Sequence, residues 1–360
     1  MKFKTQGVKM KIAIKILVIA AISLLGFSST FAGGGTRNGT GGATELLIPV
    51  GATSIALSGA NISNISGIDA LYWNPAGAAN MTNSVTALFS HMNYIANIGI
   101  EYGAVSANFS GFGVVSLALK SLSIGSIPVT TNEQPDGTGQ TYTPQFLVFG
   151  GTYSRALTDR ISIGLTANFI SETIDQVSAT GVAFNAGLEY QDLADINGLS
   201  FGLVIKNIGP QMQYSGPGLL VQASPTGSTS DPTQAFDRAP GYYSINSAAF
   251  DLPSSFELGF GYQPQLNETN SLRISADYQN NNFSGDVYNV GAEYGYNKTF
   301  FLRAGYSMSP SNQDPNYIYG LSLGAGINYN LGTVDLNVDY AYRATKYFSG
   351  NHIFSVSLGF

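Results

Sequence analysis

Between Thr333 and Arg343, apolar side chains fall on every second residue. Val334, Leu336, Val338, Tyr340 and Tyr342 form one face; Thr333, Asp335, Asn337, Asp339, Ala341 and Arg343 form the other. Strand side chains alternate between two faces, whereas an amphipathic helix needs apolar recurrence at three and four residues. The segment therefore reads as a strand between an apolar and a polar surrounding. The same alternation runs through Ser271–Gln279, Val287–Tyr296, Gly181–Tyr190 and Leu199–Lys206. From residue 84 onward about fourteen such segments follow one another, most of a length that lets a tilted strand cross a bilayer. An even count is what a closed single-chain bacterial barrel requires.

The connections sort by parity. The long ones, 126–142, 209–252 and 309–316, all follow odd-numbered strands, while Ser110-Gly111, Leu157–Asp159, Asn297-Lys298 and Leu331 are short and follow even ones. Membrane barrels have long extracellular loops and short periplasmic turns; a soluble β-sandwich has no reason to sort its loops this way. The prediction is an all-β fold: a transmembrane antiparallel barrel of about fourteen strands over residues 84–360, with 209–252 as a long extracellular loop.

Composition agrees. Only 11% of residues are charged, against about 25% in an average soluble protein, and 21 Tyr with 21 Phe supply too much apolar surface for a disordered chain. Residues 1–32 hold five lysines and no acid, and the run Ile16–Phe27 is followed by small residues at Thr30 and Ala32. This is the pattern of a secretory signal cleaved near Ala32, with Met10 an alternative start. Twelve apolar residues are too few for a membrane anchor. Beyond residue 32, eleven basic residues face twenty-two acidic ones, a formal charge of −11. No basic stripe exists for nucleic acid. There is no cysteine, hence no disulfide, thiolate chemistry or Cys-ligated metal.

Residues 33–83 do not alternate. Gly51–Met81 is rich in small residues and holds the only Trp of the chain. Asn74-Pro75 imposes a turn, since the residue before proline avoids the helical region and Asn favours turns. The alanines and glycines around it suit close packing of backbone against a barrel wall. Val50–Ala60 and the motif DALYWNPAGAA (Asp69–Ala79) resemble the opening of the PorV/PorQ outer-membrane proteins, within the FadL-like barrel superfamily. LSFGLVIKNIGPQMQYSG (Leu199–Gly216) is similar to a strand and N-x-G-P turn of the same family. The resemblance implies that 33–83 is a plug, or hatch, inside the barrel, with Asp69, Tyr72, Trp73, Asn74, Pro75 and Gly77 at its centre. These residues read either as a gate bonded to lumenal groups or as structural filling of the lumen.

The resemblance also implies function: an accessory component of type IX secretion that binds the translocon or cargo carboxy-terminal domains. It does not separate PorV from PorQ roles. The alternative within the superfamily is a transporter of hydrophobic molecules such as long-chain fatty acids, with a hydrophobic ligand or detergent in the lumen. The partner surface expected for secretion is the loop 209–252, through Met212, Leu219, Leu220, Phe236, Tyr242 and Tyr243, since long loops with aromatics are usually functional; a lid folded over the barrel mouth is the other reading. Phe354, Val356, Leu358 and the terminal Phe360 resemble the signal by which outer-membrane barrels are recognised for insertion. With two histidines and no recognisable catalytic or metal-ligand pattern, the chain is expected to be neither an enzyme nor a cofactor protein. Arg273, Asp277, Glu293, Arg303, Asp335, Asp339 and Arg343 are expected to pair across strands on the lumenal face. The expected surroundings are outer-membrane lipid of a Gram-negative-type bacterium.

Overall fold

A computed structural model describes residues 41–223 and 241–360. The expected signal segment, the cleavage region near Ala32, residues 33–40 and Phe236 lie outside these. Fourteen antiparallel strands close into a barrel: β1 (Val85–Asn93), β2 (Gly99–Phe109), β3 (Gly113–Ser123), β4 (Gln145–Ala156), β5 (Ile161–Ile174), β6 (Val177–Tyr190), β7 (Leu199–Ile208), β8 (Ser255–Tyr262), β9 (Asn270–Asn281), β10 (Val287–Tyr296), β11 (Phe300–Met308), β12 (Tyr319–Asn330), β13 (Asp335–Thr345) and β14 (Asn351–Gly359). Each pairs with its sequence neighbour, and β1 pairs with β14 from Thr86 opposite Gly359 to Asn93 opposite His352. Closure leaves no sheet edge unpaired, the condition for strands to stand in hydrocarbon. No helix among the described residues is long and apolar enough to cross a membrane.

The alternation read from sequence is the alternation of the wall. On β14, Phe354, Val356 and Leu358 point outward and are exposed, as is the terminal Phe360, whereas Asn351, Ile353, Ser355 and Ser357 are buried within. Phe89, Leu117, Phe169 and Leu302 continue the apolar exterior around the barrel. The sequence pattern fell short at β5 and β6, which run on to Ile174 and start at Val177, leaving only Asp175-Gln176 between them. At these ends the inward residues Ile170 and Ala179 are apolar and the outward Ser178 and Thr180 are polar, the reverse of the alternation elsewhere, so periodicity under-read them. The long loop also carries structure: Leu220–Ala223 pairs with Gly241–Ser244, and Met212 bridges to Phe250.

Residues 41–83 fill the lumen. A 3-10 turn at Thr44–Leu47 leads into α1 (Ala52–Ala56), a second at Gly67–Asp69 into α2 (Ala70–Trp73), and a third, Pro75–Asn80, follows. The apolar side of this plug, with Ile48, Val50, Ile55, Ile68 and Leu71, packs on Leu88, Met92, Ile100, Val114, Leu122 and Ile353. The lumenal face around β1–β3 and β14 thus carries an apolar patch set among inward polar residues such as Ser106, Ser116 and Ser355, unlike the polar lumen read from the last third of the chain. Hydrogen bonds then fix the plug to the wall. Ala52 N–H donates to Ser355 Oγ (2.9 Å), Ile62 N–H to Asp277 Oδ2 (3.1 Å), and Ser154 Oγ to Pro75 O (2.6 Å).

Such contacts need bare backbone on the wall. A Cβ on Gly305 would lie 2.3 Å from Leu57 C, and one on Gly202 2.4 Å from Ile62 O. Gly305→Val is therefore expected to unseat the plug, at the overpacking cost of about 1–3 kcal/mol, whereas Ala304→Val, one residue away on the outer face, is not. Protease cleavage within 41–83 of folded, heat-modifiable barrel measures the difference. Equal protection in both variants would mean that the plug does not depend on this approach.

Candidate functional site

The plug divides the lumen into an outer and an inner cavity. α2 ends at Trp73, and Asn74 turns extended (φ −144°, ψ 103°) ahead of Pro75. Asn74 is fully buried. Its Oδ1 accepts from Ala76 N–H (3.1 Å), capping the following turn, while Nδ2 donates to Ile62 O (2.6 Å) and to Leu188 O on β6 (3.2 Å). One side chain thus joins two plug segments and the wall, which is why an Asn before a Pro suits this position. Gly77 is also forced by space, since a Cβ there would lie 2.3 Å from Ile65 O.

Tyr72 and Trp73 are held differently. Tyr72 donates its hydroxyl to Leu46 O (3.1 Å) and Trp73 its indole N–H to Val50 O (3.0 Å). Both acceptors belong to the plug, so neither ring bonds to the wall. The two rings stand edge to face with centroids 5.2 Å apart. They line an outer cavity of about 190 Å³ with Lys206, Glu257, Tyr319 and Arg343. Lys206 Nζ lies 2.9 Å from Glu257 Oε2 and sits over both plug rings, 5.3 Å from Tyr72 and 5.4 Å from Trp73. A smaller cavity of about 40 Å³ alongside is lined by Leu71, Tyr72, Tyr102, Lys120 and Asn168. Lys120 Nζ donates to Ile48 O (3.1 Å).

The inner cavity, about 310 Å³, opens toward the short turns. Asp69 lines it together with Arg273, Glu293, Arg303, Asp335 and Asp339. Arg303 bridges Glu293 and Asp339 at 2.6 Å each, and Arg273 reaches Glu293 at 3.6 Å. Of the seven lumenal charges read from sequence, these four pair across strands. The other three do not. Asp277 binds the plug at Ile62, Asp335 accepts from Asn83 (2.9 Å) and Asn330 (2.6 Å), and Arg343 stacks on Tyr319. Burial pushes the Asp69 carboxyl up to about 7, with Asp339 adding to the rise and Arg303 opposing it.

The loop residues scatter. Tyr242, Tyr243 and Leu220 are exposed on the loop ribbon and Leu219 is half-buried. Met212 is a correction: it is buried at 1% exposure, because β6 carries Gly181 beneath it and the space of the missing side chain takes the thioether. Sequence reading missed Lys206, Glu257, Lys120 and Glu45. Lys206 occupies an inward position of the alternating segment Leu199–Lys206, and a charge at such a position was the available signal.

No protein-family model matches this chain, and no curated protein matches it by sequence. Solved structures do match in fold. The CymD monoaromatic hydrocarbon channel superposes with a TM-score of 0.54 at 13% identity, over 87% of this chain and 98% of that one. The Ralstonia pickettii toluene transporter TbuX gives 0.53 at 14%, over 86% and 98%, and the Pseudomonas putida toluene transporter TodX 0.50 at 14%, over 84% and 96%.

Glu45 adds a pH dependence. It is buried, and burial first, then the neighbouring Glu172, push its carboxyl up to about 8, against the opposing charge of Lys120. Glu172 also accepts from Tyr214 of the long loop. The seated plug therefore holds a proton that the unseated segment releases above its ordinary value of 4.5. The stabilisation is complete below that value and is lost as pH rises through about 8. Hydrogen exchange over residues 43–50, corrected for its intrinsic pH dependence, should accelerate between pH 6 and pH 9, spanning that value near 8, and Glu45→Gln should flatten the profile. A flat profile in the unaltered protein would count against this assignment.

The closed antiparallel barrel expected from the sequence is similar in fold to the CymD monoaromatic hydrocarbon channel and the toluene transporter TbuX.

Proposed function

We propose that this chain is an outer-membrane channel for small hydrophobic and amphipathic molecules, with residues 41–83 as its hatch. The observation that carries this reading is the outer cavity floored by Tyr72 and Trp73, whose hydrogen bonds run only to plug carbonyls. A floor whose hydrogen bonds run only to the plug can move with it, giving up no hydrogen bond to the wall and only the cation–π contacts with Lys120 and Lys206. The likeness in fold to toluene and monoaromatic hydrocarbon channels supports the same reading. Asn74 is the fastening point, and Asp69 belongs to the inner face of the hatch. Phe354, Val356, Leu358 and Phe360, the outward face of the closing strand, serve as the insertion signal.

A second reading, the accessory role in type IX secretion of the PorV or PorQ kind, rests on the sequence resemblance at Asp69–Ala79 and Leu199–Gly216. Its surface would be the loop ribbon with Leu220, Tyr242 and Tyr243, exposed above the barrel.

Uptake of toluene by cells carrying the protein separates the two. Asn74→Ala leaves two buried carbonyls and an N–H without their partner, at about 1–3 kcal/mol for an unmet buried group, and Trp73→Ala removes half of the floor. Both should change uptake severalfold at equal barrel levels. Deleting 219–244, which leaves the buried Met212 in place, should not. Hatch variants with unchanged uptake, together with a loop deletion that abolishes attachment of secreted cargo, would transfer the assignment to secretion.

A further inference from the structure

The outer cavity holds a guanidinium without a partner. Arg343 is only 8% exposed, yet its Nε and Nη2 meet no acceptor among the described residues. Its charged group lies 3.6 Å from the centre of the Tyr319 ring, and the Tyr319 hydroxyl is engaged with Tyr94 at 2.8 Å. Stacking on that ring fixes the plane of the guanidinium and leaves its donor edge unused. The remaining charges of the lining neutralise each other. Lys206 is paired with Glu257, whose other oxygen accepts from Ser255 Oγ at 3.0 Å. Among the described residues Glu257 is the only acid in the lining, so these side chains leave one net positive charge in a chain that is acidic overall.

Nε and Nη2 form one edge of the fork that binds a carboxylate through two parallel hydrogen bonds. The same cavity presents the faces of Tyr72 and Trp73. Its size limits what can be placed between them: a cavity of about 150 Å³ takes one benzene ring, and this one measures about 190 Å³. An extended acyl chain would have to protrude from it. We propose that the outer cavity binds a compact aromatic carboxylate, with the carboxylate on Arg343 and the ring against Tyr72 and Trp73. This rests on the channel reading and adds to it a ligand class for the outer cavity, single-ring organic anions.

Trp73, the only tryptophan of the chain, reports occupancy by its fluorescence. Benzoate and its neutral relative benzyl alcohol are the probes, titrated against purified protein in a non-ionic detergent. The unaltered protein should bind benzoate at least about tenfold more tightly than benzyl alcohol, the order expected for a desolvated, charge-assisted pair. Arg343→Gln should bring that ratio to about one, and Arg343→Lys, which keeps the charge but loses the fork, should fall between. A ratio near one in the unaltered protein, or an Arg343→Gln variant that keeps the preference, overturns the proposal and leaves Arg343 as a support for Tyr319. The first of these needs no variant to fold. Toluene uptake read in parallel separates the two claims: toluene passing without benzoate preference sinks only the anion site, whereas failure of toluene uptake sinks the channel.

Discussion

The whole arrangement depends on backbone meeting backbone inside the barrel. Glycines on the inner wall receive the plug at van der Waals distance or closer than any side chain would permit. A Cβ on Gly164 would lie 2.2 Å from Pro75 C, one on Gly187 2.0 Å from Asn74 Oδ1, and one on Gly324 2.4 Å from Ala56 Cβ. These positions lie on β5, β6 and β12, on different sides of the lumen. Set back by the depth of a side chain, the plug would lose the short bonds to Ser154, Asp277 and Ser355 and leave their buried partners unmet. Small residues on both surfaces are therefore the means by which a segment with little regular structure becomes a fixed part of the barrel.

That close seating also decides how charge is distributed. One flank of the plug is largely apolar and lies on β1–β3 and β14, where Lys120 stands as a buried charge, while most other ionisable groups lie on the opposite wall and at the two ends. At the inner end they form a connected set, Arg273–Glu293–Arg303–Asp339, in which each buried charge has a partner. At the outer end the pairing stops one cation short. A buried ion pair with good geometry offsets part of its desolvation; an unpaired guanidinium does so only by stacking or by meeting a ligand. The two cavities thus differ in character, the inner one an ion network and the outer one an aromatic floor with a free donor edge.

How much of this was legible in the sequence follows from the range of each interaction. Strand alternation is local, and the wall, the strand count, the outward face at Phe354–Phe360 and the turn at Asn74-Pro75 were all readable from neighbours in the chain. The loop parity added topology. The site was less readable because its members are brought together by barrel closure: Tyr72 of the plug meets Lys206 of β7 and Lys120 of β3, far apart in sequence. Arg343 was identified as lumenal, but its lack of a partner depends on where Tyr319 and Asp339 lie in three dimensions. Met212 was misread for a related reason, since nothing in the loop signals that Gly181 on a distant strand leaves a place for it. The glycines of the wall could be counted in the sequence but not assigned, because only the seated plug distinguishes those that face it.

The outer cavity and the small side cavity share Leu46, Tyr72, Lys206 and Asn207 in their linings. Any route from one to the other along this flank passes the Tyr72 ring. That ring is held by a single hydrogen bond to Leu46 O and by two ammonium groups, Lys120 at 4.8 Å and Lys206 at 5.3 Å from its centre. Leu46 follows Glu45, whose buried carboxyl stands beside Glu172 of β5, and Lys120 bonds to Ile48 two residues further on. The short segment 45–48 therefore carries both the acceptor that positions the ring and the titrating group that holds the segment down. Charging Glu45 is opposed by its burial and by the neighbouring Glu172, so its deprotonation weakens the seating of the segment that carries the Leu46 carbonyl. Four residues of backbone thus connect the buried carboxyl of Glu45 to the carbonyl that positions the Tyr72 ring.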